Sequence, residues 1–249
     1  MIRSMSTQCL LFAGLTLAGC SSSTTPPAAP GPAGPSPATA TAAPAAQPAA
    51  DAAPQVPLQE TPADRLGSAP PGFGLAVGNK APDATLPDVT GQSQRLAALY
   101  AAGPVFVVFY RGGWCPFCNL QLHRLATAMP EFDKKGIRIV AISVDTPGQE
   151  AKTQAKNGVP FPMLSDSDLA AHKAFHVVHV PPDAEAKAFA SYGIDLEQYS
   201  GQRHHSFAVP AIFLVDRTGT IRWRHIDQDY KTRPTPAQML DVAGRALAK

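Results

Sequence analysis

The sequence contains no apolar run long enough to cross a membrane, no cluster of a single charge, no internal repeat and only four cysteines. Its longest uninterrupted apolar stretch near the start, Leu10 to Leu17, falls short of the roughly 20 residues that a spanning helix needs. With Arg3 ahead of it, that stretch has the length of a secretory h-region instead. Basic side chains are dispersed along a chain of formal net charge +2, with nothing beyond isolated pairs such as Lys134-Lys135, which argues against a nucleic-acid partner. Large apolar side chains are scarce between Pro26 and Pro71, a stretch of Ala, Pro, Thr and Ser that holds half of the 26 prolines. Such a segment cannot bury enough surface to offset its ordering entropy.

The h-region ends in Leu17-Ala18-Gly19-Cys20, which resembles a bacterial lipoprotein box, cut before the cysteine and acylated on it. The expected organisation is a signal peptide over 1–19, a lipid on Cys20, a disordered Ala/Pro-rich tether over 20–72, and one folded domain over 73–249. The expected location is the bacterial cell envelope, on the periplasmic side. Ser21 after the lipid-bearing position is compatible with the outer membrane. About 50 tether residues reach on the order of 40 Å as a random coil and up to ~150 Å as polyproline II. This organisation removes Cys9 with the signal and blocks Cys20, so Cys115 and Cys118 remain as free thiols.

In the folded part, Ala84 to Leu86 reads as a strand and Leu96 to Tyr100 as a short helix. Val105-Phe106-Val107-Val108-Phe109 has the unbroken β-rich character of a central strand buried on both faces. Gly112-Gly113 breaks it, and a helix is expected from Cys115-Pro116, with Leu120, Leu122, Leu125 and Met129 at helical spacing. Ile137 to Val144 and Phe161 to Leu164 read as further strands, Gly148 to Asn157 and Ser167 to Phe175 as helices, and Pro181 to Gly201 as an inserted helix and loop. Ala211 to Val215 and Thr220 to Trp223 form a hairpin, and Pro236 to Leu247 a final amphipathic helix. The order predicts an α/β fold with a central mixed β-sheet flanked by helices on both faces.

Cys115-Pro116-Phe117-Cys118 lies where the buried strand feeds a helix, the context of a redox CxxC. Unpaired N–H groups and the dipole at a helix N-terminus favour thiolate over thiol, and two intervening residues bring the second sulfur within bonding distance. A structural zinc site would need a second pair of ligands that no free cysteine supplies. A purely structural disulfide would close a loop too small to stabilise much.

Phe109-Tyr110-Arg111-Gly112-Gly113-Trp114-Cys115-Pro116-Phe117-Cys118, with Val209-Pro210-Ala211-Ile212-Phe213-Leu214-Val215-Asp216, resembles the peroxiredoxin-like proteins of the alkyl hydroperoxide reductase and thiol-specific antioxidant family. The resemblance covers Gly78 to Trp223 and implies a thioredoxin-like fold. Two registers fit the CxxC. In a thioredoxin register Trp114-Cys115 opens the site, so Cys115 attacks and Cys118 resolves. In a peroxiredoxin register Pro116 keeps the family proline, Cys118 takes the peroxidatic position and Cys115 replaces a hydroxyl residue that helps activate peroxide. Pro210 stands where that family carries its activating arginine, and matches the cis-proline that faces the CxxC in thioredoxins.

The resemblance implies an antioxidant thiol peroxidase with a peroxide substrate, a thioredoxin-like protein as electron donor, and no metal or organic cofactor. An envelope thiol-disulfide oxidoreductase acting on protein disulfides is the second reading, and a copper chaperone using His204-His205 with the cysteines the third. Arg111 is expected either to lower the thiolate pKa or to face solvent from its Gly-rich loop. Trp114 is expected as a hydrophobic wall beside the site or as surface packing. His172, His176 and His179 read as solvated.

Overall fold

The computed structural model of the protein describes residues 57–248, so Cys9, Cys20, the expected signal peptide and most of the expected tether lie outside the described residues. Along the chain come β1 (Gln59–Glu60), a 3-10 turn at Ala63–Arg65, β2 (Thr85–Pro87), β3 (Ser93–Arg95), α1 (Leu96–Ala101), β4 (Val105–Phe109), α2 (Pro116–Thr127), α3 (Met129–Lys134), β5 (Arg138–Ser143) and α4 (Pro147–Asn157). Then follow β6 (Met163–Ser165), α5 (Ala170–Ala174), β7 (Val178–His179), α6 (Asp183–Ser191), α7 (Leu196–Ser200), β8 (Phe207–Ala208), β9 (Ala211–Val215), β10 (Ile221–Ile226), β11 (Thr232–Arg233) and α8 (Pro236–Leu247).

Five strands form the main sheet in the order β10-β9-β4-β5-β6. β4 pairs in parallel with β5 and antiparallel with β9, so the sheet is mixed, as expected. All five residues of β4 are buried because each face of the strand has its own core. Phe106 and Val108 pack with Leu122, Leu125, Phe132 and Met239 on the side of α2, α3 and α8. Val105, Val107 and Phe109 pack with Leu96, Tyr100, Ala171 and Phe175 on the side of α1 and α5. A strand read from both sides carries no polar alternation, which is why its sequence is uniformly apolar. Thr235 starts α8 with a capping box completed by Gln238, which fixes that helix end beside the sheet.

The packed region begins upstream of the boundary expected at Phe73. β1 pairs in parallel with β11, and Leu58 joins the core cluster that includes both cysteines. A two-residue strand has no periodicity to detect, and its partner lies at the far end of the chain. The insertion over 181–201 holds two helices, α6 and α7, rather than one helix and a loop.

Candidate active site

β4 delivers the chain to the middle of the sheet's edge at Phe109, and the turn that follows is built from two glycines that cannot be replaced freely. Gly112 has φ +143°, and a Cβ there would run into Trp114 Nε1 and Asp145 Oδ1. A Cβ on Gly113 would run into Thr153 Oγ1. The Gly113 N–H donates to Asp145 Oδ2 at 2.6 Å, and Asn119 Nδ2 donates to the Gly113 carbonyl at 2.8 Å. The turn is thus clamped between the end of β5 and the first turn of α2.

Cys115 is the N-cap of α2, with extended backbone, and Pro116 occupies the first helical position. The Cys118 N–H donates to Cys115 Sγ at 3.4 Å, and the two sulfurs lie 2.7 Å apart. The strand-to-helix junction and the paired sulfurs are as expected. The pair is not open to solvent: Cys115 and Cys118 are both 0% exposed.

Burial pushes the Cys118 thiol up, but the hydrogen bond with Cys115, the Arg233 charge, the Arg111 backbone N–H and the Arg111 charge together bring it down to about 6. Cys115 is pushed well above the ordinary thiol range by burial and by the hydrogen bond and charge of Cys118, with Arg111 opposing. The surroundings thus act in opposite directions on the two sulfurs, lowering Cys118 and raising Cys115. A helix N-terminus alone favours the first cysteine; here the guanidinium groups and the thiol donor favour the second.

Arg233 has no counterpart in the sequence reading. Its Nη2 lies 3.9 Å from Cys118 Sγ, while Nε donates to Gln121 Oε1 at 2.9 Å and Nη1 to the Thr232 carbonyl at 2.8 Å. The one signal in its favour was Pro210, which leaves the arginine position of the resembling family without a cation. Nothing local distinguished Arg233 from Arg222 or Arg224.

Arg111 does not face solvent: it is 6% exposed, and its guanidinium lies among the rings of Tyr230, Trp114, Phe207 and Phe189, at 4.1, 4.8, 4.9 and 5.5 Å. It also lies 3.9 Å from Glu185 on α6, so the insertion reaches the site. Trp114 packs edge-on against Phe189 and Phe207 and forms a wall there. Pro210 is buried and, with Arg111, His179, Glu185 and Tyr230, lines a cleft of about 100 Å³.

Two buried carboxyls were also missed. Asp145 is pushed up to about 7 by burial, opposed by the Gly113 N–H and reinforced by the Cys118 charge. Glu150, raised further by burial and by Asp145, accepts hydrogen bonds from Tyr110 Oη at 2.5 Å and Ser143 Oγ at 2.6 Å. No motif marks either one, because their neighbours are brought together only by the sheet.

The histidines do not join the cysteines. His204 bonds to the Ser167 carbonyl and His205 to Glu197, and among the described residues no group of three or more His, Cys, Asp or Glu could hold a metal ion. His172, expected to be solvated, is fully buried against Asp166 at 2.6 Å.

The sequence pattern of the AhpC/TSA family matches residues 77–224. Over 159 residues the chain is 31% identical to alkyl hydroperoxide reductase E of Mycobacterium tuberculosis, covering 64% of this chain and 90% of that one. It is 37% identical over 94 residues to another Mycobacterium tuberculosis protein, named in the peroxiredoxin class, covering 38% of this chain and 59% of that relative. The chain thus spans less than two thirds of the latter's length. The crystal structure of a variant of peroxiredoxin 6 from Arenicola marina superposes with a TM-score of 0.56 at 14% identity, covering 70% of this chain and 75% of that one, a likeness of fold. The mixed sheet, its helical layers and the matched pattern agree: the fold is thioredoxin-like, and the chain belongs to the AhpC/TSA family.

Proposed function

We propose that the protein is a thiol peroxidase in which Cys118 attacks the peroxide and Cys115 resolves the product. The observation that carries this reading is the placement of Cys118 Sγ 3.9 Å from Arg233 Nη2 and 2.7 Å from Cys115 Sγ, surroundings that hold its thiol below the ordinary value. Arg233 supplies from a different strand the positive charge that Pro210 cannot. Both sulfurs are buried, so the site has to open for peroxide to enter; the thiolate then attacks one peroxide oxygen, the O–O bond breaks, and the departing oxygen takes a proton and leaves as water or an alcohol. Cys118 is then a sulfenic acid. The Cys115 thiol attacks that sulfur, forms the disulfide and expels water. A thioredoxin-like dithiol protein returns two electrons and two protons by exchange and is itself oxidised. The cycle needs no metal or organic cofactor.

The raised pKa of Cys115 runs against the reading in which it attacks protein disulfides first. Stopped-flow mixing of the reduced protein with hydrogen peroxide is the test. The expected rate exceeds that of free cysteine, vanishes in Cys118→Ser and survives for one turnover in Cys115→Ser, leaving a trappable sulfenic acid. A rate no faster than free cysteine rejects the proposal.

The location belongs to the same proposal and rests on the Leu17-Ala18-Gly19-Cys20 box alone. Lipid on Cys20 holds the enzyme at the envelope membrane. Cys20→Ser is expected to move the protein from the membrane to the soluble fraction, and unchanged partitioning would count against the anchor.

A further inference from the structure

Two segments outside the family match of residues 77–224 pair with one another, and one of them reaches Cys118. One is β11, which carries Arg233. The other is β1, which lies parallel to it with Gln59 opposite Thr232 and Glu60 opposite Arg233. The Gln59 N–H donates to the Lys231 carbonyl at 2.9 Å and the Thr61 N–H to the Arg233 carbonyl at 3.0 Å. These two strands form a sheet of their own, so β1 is the ladder partner of the strand that presents the guanidinium.

The arm is anchored from several sides. Leu58 sits in the core cluster with Cys115 and Cys118. Gln238 Nε2, on α8, donates to the Thr61 carbonyl at 2.8 Å, and Arg65 pairs with Asp227 at 2.6 Å. A two-stranded ribbon is marginal by itself, so β11 depends on such contacts to hold one position. With Nε and Nη1 of Arg233 committed to Gln121 and Thr232, a shift of the backbone moves Nη2 relative to the sulfur.

We propose that the β1 arm is a positioning element for the active site: by completing the β11 ladder it holds Arg233 against Cys118 and so sets the reactivity of that sulfur. The inference rests on Cys118 being the reactive thiolate. The charged and titratable groups facing Cys118 are Cys115 and Arg111 from the turn before α2, Asp145 from the end of β5, and Arg233 from β11. Among these, Arg233 is the residue whose backbone the arm bonds.

The test follows the ultraviolet absorbance of the thiolate against pH in the reduced full-length chain, with thermal melting as a check on folding. Thr61→Pro removes the N–H that reaches Arg233, and Leu58→Ala loosens the anchor while keeping every ladder donor. Losing an opposite charge within about 4–6 Å shifts a pKa by about one unit or more. The midpoint is therefore expected to rise by about one unit in Thr61→Pro, less in Leu58→Ala, and at least as much in Arg233→Gln. Thr61→Pro should add nothing in the Arg233→Gln background, because both act through one contact. Should Thr61→Pro fail to fold, Leu58→Ala decides. Midpoints unchanged in the arm variants, or an equal rise with and without Arg233, overturn the inference while Cys118 remains the thiolate. A low-pH titration step that is lost in Cys115→Ser and kept in Cys118→Ser overturns the thiolate assignment and this inference with it.

Discussion

Cys118 and Asp145 are neighbours, and the charge of one has a measurable consequence for the other. Burial raises Asp145 and the negative charge of Cys118 raises it further, so the carboxyl ionises against that charge. Replacing Cys118 by Ser removes that charge. The Asp145 midpoint, followed by carboxyl carbon resonance, is expected to fall in Cys118→Ser yet stay above the ordinary carboxylate range, because burial is its largest cause. An unchanged midpoint would mean the two groups do not sense one another. Residue identity was legible at the CxxC and at Trp114, Pro116 and Arg111, all within one short motif. Arg233, Asp145 and Glu150 were not, since an isolated charged residue in a sequence carries no mark of what it will face.

At the scale of elements, the turn between β4 and α2 owes its shape to space as much as to backbone freedom. Gly113 does not have a positive φ, so an alanine there meets no backbone penalty, only the Thr153 side chain. Overpacking of this kind costs about 1–3 kcal/mol. Gly113→Ala is expected to lower the urea midpoint accordingly, and Thr153→Ala in the same chain to restore part of the loss. Equal destabilisation with and without the Thr153 side chain would show that the clash is not the cause. The helix beyond the turn was legible because Pro116 and the leucine spacing are local signals. β1, β7, β8 and β11 were not, being two-residue strands that exist only where a partner completes them.

For the whole molecule, the buried thiolate ties stability to pH. An unfolded cysteine titrates at about 8.5, and the folded Cys118 at about 6. A depressed pKa contributes stability that is fully present above the unfolded value and lost as pH falls through the folded one. Asp145 has the opposite sign: its contribution is present below the ordinary carboxylate pKa and is lost as pH rises through about 7. Between about pH 7 and 8.5 the Cys118 contribution is thus still growing while that of Asp145 is spent. The reduced protein is expected to gain stability over Cys118→Ser as pH rises through this window, measured by urea unfolding at each pH. A constant difference between the two proteins would contradict an ionised Cys118 in the folded state.

The sequence by itself determined the strand β4, the break at Gly112-Gly113, the CxxC at the head of α2 and the final helix, because each is written in the periodicity or turn chemistry of adjacent residues. Only the tertiary structure decided that both sulfurs are buried and that Arg233 stands beside Cys118 from 115 residues away. Charge acts through distance in space, and for groups on different strands that distance is set by the sheet and not by the spacing along the chain.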